Sequence, residues 1–243
     1  MSVAADKPSH GALVLIPTRL GEAPWPDFLP ASVQNRAAGI RHFVVENARA
    51  ARANLKQMGF PGLLRETDIR ELPAEGSDDA LDGLLAPALA GEDVGLMSDA
   101  GCPAVADPGA RLVARAHVLG IRVVPQVGPS SILLGLMGSG LNGQNFAFHG
   151  YLPSAAESRD RRLRTLEEES HKQCRTQIFI ETPYRNEHLF SALLRVCRPA
   201  TRLTVARALT TSDEYLRTLT IGEWRQTPPP ALSKYPALFL MLA

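Results

Sequence analysis

The 243-residue sequence predicts an α/β protein with two lobes, a helix-flanked parallel sheet followed by a lobe built on a mixed sheet. Three observations carry this expectation. Short apolar runs alternate with helical stretches through the first half of the chain. Two of those runs end in tight turns of small residues that lead into helices, Ser98-Asp99-Ala100-Gly101-Cys102-Pro103 and Gly128-Pro129-Ser130-Ser131. Past Gly128, strands follow one another with fewer helices between them. Turns of this kind belong at the carboxyl ends of neighbouring parallel strands, where helix amino ends and small side chains leave exposed N–H groups and room for a guest. The sequence therefore predicts a ligand crevice between the two lobes.

The runs Leu13–Ile16, His42–Val45, Val94–Met97 and Ile121–Val124 read as parallel strands buried on both faces. Helices are expected between them at Phe28–Ala38, Asn47–Met58, Asp79–Leu89 and Ala110–Leu119. Asp107-Pro108 has the composition of a helix start, with Asp107 as the cap. Next come a helix over Ser131–Met137, with Ser130 as a possible cap, a strand at Phe146–His149, a charged helix over Glu157–His171 and a strand at Thr176–Glu181. Thr182-Pro183 opens a helix over about Asn186–Cys197, and strands follow near Arg202–Ala206, Tyr215–Ile221 and Ala237–Leu242. Residues 1–10 read as disordered, 11–126 as the amino-terminal lobe and 127–243 as the carboxyl-terminal lobe.

Composition narrows the function classes. No run of about 18 apolar residues exists and the amino end lacks a signal-peptide pattern, so no membrane association is expected. Cys102, Cys174 and Cys197 have no C-x-x-C spacing, which favours a reducing cytoplasm and argues against a cysteine zinc site; no metal is expected. The net charge of +1 leaves nucleic-acid binding to a local patch. Two basic sets, Arg159/Arg161/Arg162/Arg164 and Arg36/Arg41/Arg49/Arg52/Lys56, read either as solvated helix faces or as phosphate contacts. Gly138–Gly143 spells G-x-G-x-x-G, but it follows a helical pattern and leads to a strand, the reverse of a dinucleotide site. Asp99 ends a buried strand without starting a helix, so its carboxylate either closes an Asp-turn or faces a ligand.

The segment Ser98–Gly109 has the form S-D-A-G-x-P-x-x-x-D-P-G. It is followed by G-I-x-V-V-P at Gly120–Pro125, G-P-S at Gly128–Ser130, G-x-L-P at Gly150–Pro153, I-F-x-E-x-P-x-R at Ile178–Arg185 and V-A-R at Val205–Arg207. In order and spacing this resembles the tetrapyrrole methylase superfamily of S-adenosylmethionine (SAM) dependent methyltransferases, and within it the branch that methylates ribose hydroxyls of bacterial small-subunit ribosomal RNA. The resemblance implies the two-lobed fold with a cofactor crevice, SAM as cofactor with S-adenosylhomocysteine (SAH) as product, and a homodimer acting on RNA or a ribosomal subunit. It assigns cofactor contacts to Pro17, Asp99, Gly101, Cys102, Ser130, Ser131, Ile132, Ile180, Glu181, Pro236 and Ala237. Glu46 and Arg49 are the expected catalytic residues, with Arg19, Asn47 and Arg185 binding substrate.

Two segments depart from that branch. Pro17-Thr18-Arg19-Leu20-Gly21-Glu22-Ala23 stands where it has P-T-P-I-G-N-L, and Val45-Glu46-Asn47-Ala48-Arg49-Ala50 where it has A-E-D-T-R-H. Asn47 cannot ionise, so it cannot take up a proton as an aspartate would; it could instead cap the following helix, leaving Glu46 and Arg49 as surface charges. Three functions follow: a methyltransferase on RNA, a methyltransferase on a tetrapyrrole or other small molecule, and a SAM-binding protein without catalysis.

Overall fold

The computed structural model describes residues 10–243, so the stretch read as disordered lies, His10 apart, outside the described residues. The chain divides by packing into two compact units, the first ending at Pro129 and the second spanning Ser130–Ala243.

The first unit is a five-stranded parallel sheet made of β1 (Ala12–Ile16), β2 (His42–Val45), β3 (Asp68–Glu71), β4 (Val94–Met97) and β5 (Arg122–Pro125), in the order β3-β2-β4-β1-β5. Its helices are α1 (Ala31–Ala38), α2 (Ala48–Gln57), α3 (Asp78–Leu89) and α4 (Ala110–Val118). Successive strand residues point to opposite faces. Ala12, Val14, Ile16, Phe43 and Val45 accordingly pack with Val33 and Ala37 of α1 and Ala51 and Leu55 of α2. Leu13, Val44, Val94 and Leu96 pack instead with Leu81 and Leu85 of α3 and Leu112 and Ala116 of α4. Both faces are covered, which is why β1 and β4 are apolar throughout and β2 is apolar after His42. The chain leaves β1 toward β2 on the α1/α2 face and leaves β4 toward β5 on the α3/α4 face. The switch point of the sheet therefore falls between β1 and β4, and open α/β sheets bind ligands outside the carboxyl ends of such strands.

The second unit has a mixed sheet of β6 (Phe146–Tyr151), β7 (Thr176–Glu181), β8 (Arg202–Arg207), β9 (Tyr215–Thr220) and β10 (Ala237–Leu242), ordered β6-β7-β10-β8-β9. Only β6 and β7 run parallel; the other pairs are antiparallel. Its helices are α5 (Ser131–Ser139), α6 (Ala156–Gln173), α7 (Pro183–Val196) and the single turn α8 (Ile221–Trp224). Helices α6, α7 and α8 bury Phe179, Val205 and Phe239 on one face, while α5 lies against β9 and β10. Gly135 permits that approach, since a Cβ there would stand 2.2 Å from Leu238. The α/β fold with its parallel and mixed sheets is as the sequence predicts.

Several local expectations are corrected. Strand β3 is absent from the sequence reading. The first helix begins at Ala31 rather than Phe28, because Leu29 precedes Pro30 and is held out of the helical region; a 3-10 turn at Trp25–Asp27 stands before it. Asp107 caps nothing: α4 starts after Gly109, whose φ of +126° separates the Asp-Pro pair from the helix. Neither Ser130 nor Thr182 makes a side-chain cap. Ile221 opens α8 instead of ending β9. The glycine-rich stretch follows α5, with Gly140 as its left-handed cap, and leads into β6.

Candidate functional site

The loops after β1 and β4 meet at the switch point of the first unit. Thr18 N–H donates to the Gly101 carbonyl at 2.8 Å, Gly101 N–H returns a bond to Thr18 at 3.2 Å, and Thr18 Oγ1 donates to the Ser98 carbonyl at 3.2 Å. Gly101 sits at φ +77°, a region glycine enters without a steric penalty. The loop after β5 closes on the same place. A Cβ on Gly128 would stand 2.2 Å from Pro17 Cβ, and the Cys102 thiol donates to the Pro129 carbonyl at 3.4 Å. Burial and the nearby Asp107 carboxylate push the Cys102 pKa up, so it stays a thiol and is a poor nucleophile. The loop continues through Ala104 and Ala106, both at positive φ (65° and 64°), a conformation that costs a non-glycine residue energy.

Carboxylates gather along this edge. Glu46, just past β2, accepts from the Asp99 N–H at 3.3 Å. Asp99 is exposed, and its pKa is raised by partial desolvation and then by Glu46 and Glu71. Asp107 is pushed up to about 6, first by burial, then by Glu46 and Asp99, against a stabilising bond with Ser98. A raised carboxyl pKa means that the folded state holds its proton longer than the unfolded chain. Its contribution is favourable below pH 3.8 and is lost as pH rises through about 6. Asp107→Asn should therefore stabilise the fold at pH 8 by about 1 kcal/mol after solvent screening, seen as a higher melting temperature. The gain should vanish near pH 4; a gain equal at both pH values would remove this account. Melts across that range check it.

Asn47 Oδ1 accepts from Arg49 N–H at 2.9 Å and Ala50 N–H at 3.0 Å, which makes it the cap of α2. Glu71 accepts from the Ala48 N–H at 2.8 Å. Arg49 is exposed on the first turn of α2, and Arg19 lies in the loop after β1. The sequence reading missed Asp107 and Glu71 as members of this edge; the Asp-Pro-Gly motif was the available signal for the first.

In the second unit, Ser130 and Ser131 are half-buried at the start of α5 and Ile132 is buried. Glu181, 1% exposed, accepts from the Thr182 N–H at 2.8 Å and pairs with Arg185 at 2.7 Å. Arg185 also donates to the Leu152 carbonyl at 2.9 Å. Its guanidinium is thus engaged inside this unit. Ile180 is half-buried, Pro236 exposed and Ala237 buried in β10. Much of the basic charge is paired: Arg161 with Glu157, Arg162 with Glu169, and Arg36 with Asp93.

A family model described as Tetrapyrrole (Corrin/Porphyrin) Methylases matches residues 41–224. The Ribosomal RNA small subunit methyltransferase I of Pseudomonas aeruginosa is 41% identical over 133 residues, 55% of this chain and 46% of that protein, so the match spans about half of that relative. The proteins of the same name from Xylella fastidiosa and Mesorhizobium japonicum are 32% and 34% identical, over 82% and 88% of this chain and 69% of each relative. Among solved structures, the methyltransferase CobJ aligns with a TM-score of 0.61 at 16% identity, covering 95% of this chain and 93% of that one. A uroporphyrin-III-C-methyltransferase from Thermus thermophilus aligns with a TM-score of 0.51 at 18% identity, covering 96% and 92%. At these identities the structural likeness is one of fold.

Proposed function

We propose a function for a chain that belongs to the tetrapyrrole (corrin/porphyrin) methylase family: SAM-dependent transfer of a methyl group to RNA, with a ribose hydroxyl of small-subunit ribosomal RNA as the acceptor. The observation that carries it is the acidic edge at the switch point, where the Glu46 carboxylate raises the proton affinity of Asp99 and Asp107 beside the Gly101 turn. SAM, with its sulfonium and ammonium groups, is a net cation, so this edge suits it electrostatically. When bound, SAM supplies a methyl already activated by a positively charged sulfur, so the chain's work is mainly to hold the acceptor in line.

Cofactor contacts are assigned to Pro17, Asp99, Gly101 and Cys102 in the first unit. By family likeness they also fall to Ser130, Ser131, Ile132, Ile180, Glu181, Pro236 and Ala237. Glu46 and Arg49 position the acceptor, with Arg19, Asn47 and Arg185 contributing to substrate binding. The named relatives support RNA as the acceptor, as does the exposed Arg49, whose guanidinium matches a phosphate in shape and charge. We further propose a cytoplasmic homodimer, which light scattering at micromolar concentration would show as twice the chain mass. Among the described residues no helix is long and apolar enough to cross a membrane.

Calorimetry with SAM or SAH should show saturable binding that Asp99→Ala weakens; folded protein that binds neither ends the proposal. Arg49→Ala should leave SAM affinity nearly unchanged and lower turnover at least about tenfold, about 1.4 kcal/mol of transition-state stabilisation. Normal turnover in that variant would remove the acceptor assignment and leave the cofactor site standing. Mass spectrometry of total RNA from a deletion strain and its parent locates the methylated atom.

A further inference from the structure

The first unit has an open surface hollow of about 460 Å³ between the loop after β1, helix α1 and the end of α2, lined by Arg19, Pro24, Trp25, Gln34, Gln57 and Met58 among others. We propose that it takes one unstacked nucleotide of a single-stranded RNA segment, the base in the hollow and a phosphate on Arg19. The proposal rests on the RNA reading above and adds to it a place outside the acidic edge where the strand is held.

The volume lies in the range of about 300–1,000 Å³ typical of small-molecule sites. Pro24 and Pro26, both exposed, give it apolar surface over the buried Trp25, and apolar walls are what an unstacked base exchanges for its neighbours. The Trp25 ring is fixed by packing against Phe28, with centroids 5.2 Å apart. Trp25 is only 5% exposed, yet its indole N–H has no acceptor among the described residues. The fold itself thus supplies no partner for this donor beneath the wall. Gln34 donates to the Leu29 carbonyl at 3.4 Å, which leaves its own oxygen as an acceptor. The wall thus offers donors, an acceptor and one cation. Arg19 enters no ion pair among the described residues and follows Thr18, whose backbone pairs with Gly101. The loop that lines the cavity is therefore tied directly to the acidic edge.

Other ligand classes use the wall less well. Arg19 repels a cation. An inorganic anion would leave the amides and the indole idle. A tetrapyrrole would bring several carboxylates to a single guanidinium.

The chain has two tryptophans, so full-length Trp224→Phe makes Trp25 the sole reporter. Titration with cytidine 5′-monophosphate should change its fluorescence saturably, and calorimetry on the unmodified chain should give the same affinity. Arg19→Ala should weaken the monophosphate about tenfold and leave binding of cytidine, which lacks the phosphate, unchanged. The proposal is overturned if the monophosphate shows no saturable binding up to about 10 mM, or if Arg19→Ala binds it as tightly as the unmodified chain. It is also overturned if inorganic phosphate alone reproduces the signal at the same affinity. SAM binding is measured on the same samples. A chain that binds SAM but no monophosphate loses only this inference, and one that binds the monophosphate but no SAM loses the methyltransferase reading.

Discussion

Replacing Arg185 by alanine should destabilise the second unit by about 3–5 kcal/mol, the cost of leaving a buried carboxylate without its counter-charge. Glu181 is 1% exposed and ends β7, and its cationic partner is the Arg185 guanidinium one helical turn ahead. The Thr182 N–H and hydroxyl bonds to Glu181 supply dipoles but no charge. The same guanidinium donates to the Leu152 carbonyl, so its loss also frees the segment after β6. Urea unfolding followed by Trp224 fluorescence in a Trp25→Phe background would report on this unit. Combining Arg185→Ala with Glu181→Gln should recover part of the loss, because a neutral amide is cheaper to bury than an unpaired carboxylate. A loss under about 1 kcal/mol, with no recovery in the pair, would show that the ion pair does not hold the unit together. If Arg185 also contacts substrate, the fraction that remains folded should turn over more slowly, which separates the two roles.

The sequence revealed most where one physical cause dominates. The strands His42–Val45 and Val94–Met97 are read to the residue because helices cover both faces of that sheet, which favours consecutive apolar residues such as Phe43–Val45 and Val94–Met97. Strand β3, Asp-Ile-Arg-Glu, has no such pattern; it is an edge strand bonded only to β2, and its residues are half-buried or exposed. The turn α8 carried a legible sign, Thr220 followed three residues later by Glu223, and the structure shows the reciprocal capping box. The candidate site was legible by position, since Pro17, Glu46, Asp99 and Gly101 all follow strand carboxyl ends. Its internal bonds were not. The bond from Asp99 to Glu46 joins residues 53 apart in the chain, and no local pattern encodes it. The Asp-Pro pair at Asp107 matches a helix cap in composition; only the three-dimensional path through Gly109 turns its side chain to other partners.

The turn at Gly101 is where fold and proposed cofactor binding depend on one backbone angle, and Gly101→Val should damage both. A β-branched residue at φ +77° is strained, and such strain costs about 1–3 kcal/mol. A Cβ there would also meet Leu20 Cδ2 at 3.2 Å and lie 3.7 Å from the Pro129 carbonyl oxygen. Relief of that crowding would pull on the two backbone bonds with Thr18, each worth about 1 kcal/mol, so a total loss of about 3 kcal/mol is expected. Because Thr18 and Gly101 hold together the loops after β1 and β4, SAM affinity should fall with stability. Gly101→Asn tests the cause, since asparagine tolerates the left-handed region better than other L-residues. It keeps a Cβ against Leu20 while relieving the backbone penalty. If strain dominates, melting temperature and SAM affinity in the asparagine variant should lie close to those of the unmodified chain, and the valine variant should lose both. Equal losses in the two variants would assign the effect to contact with Leu20. A valine variant that melts normally and binds SAM normally would mean that this turn neither shapes the fold nor forms the cofactor site.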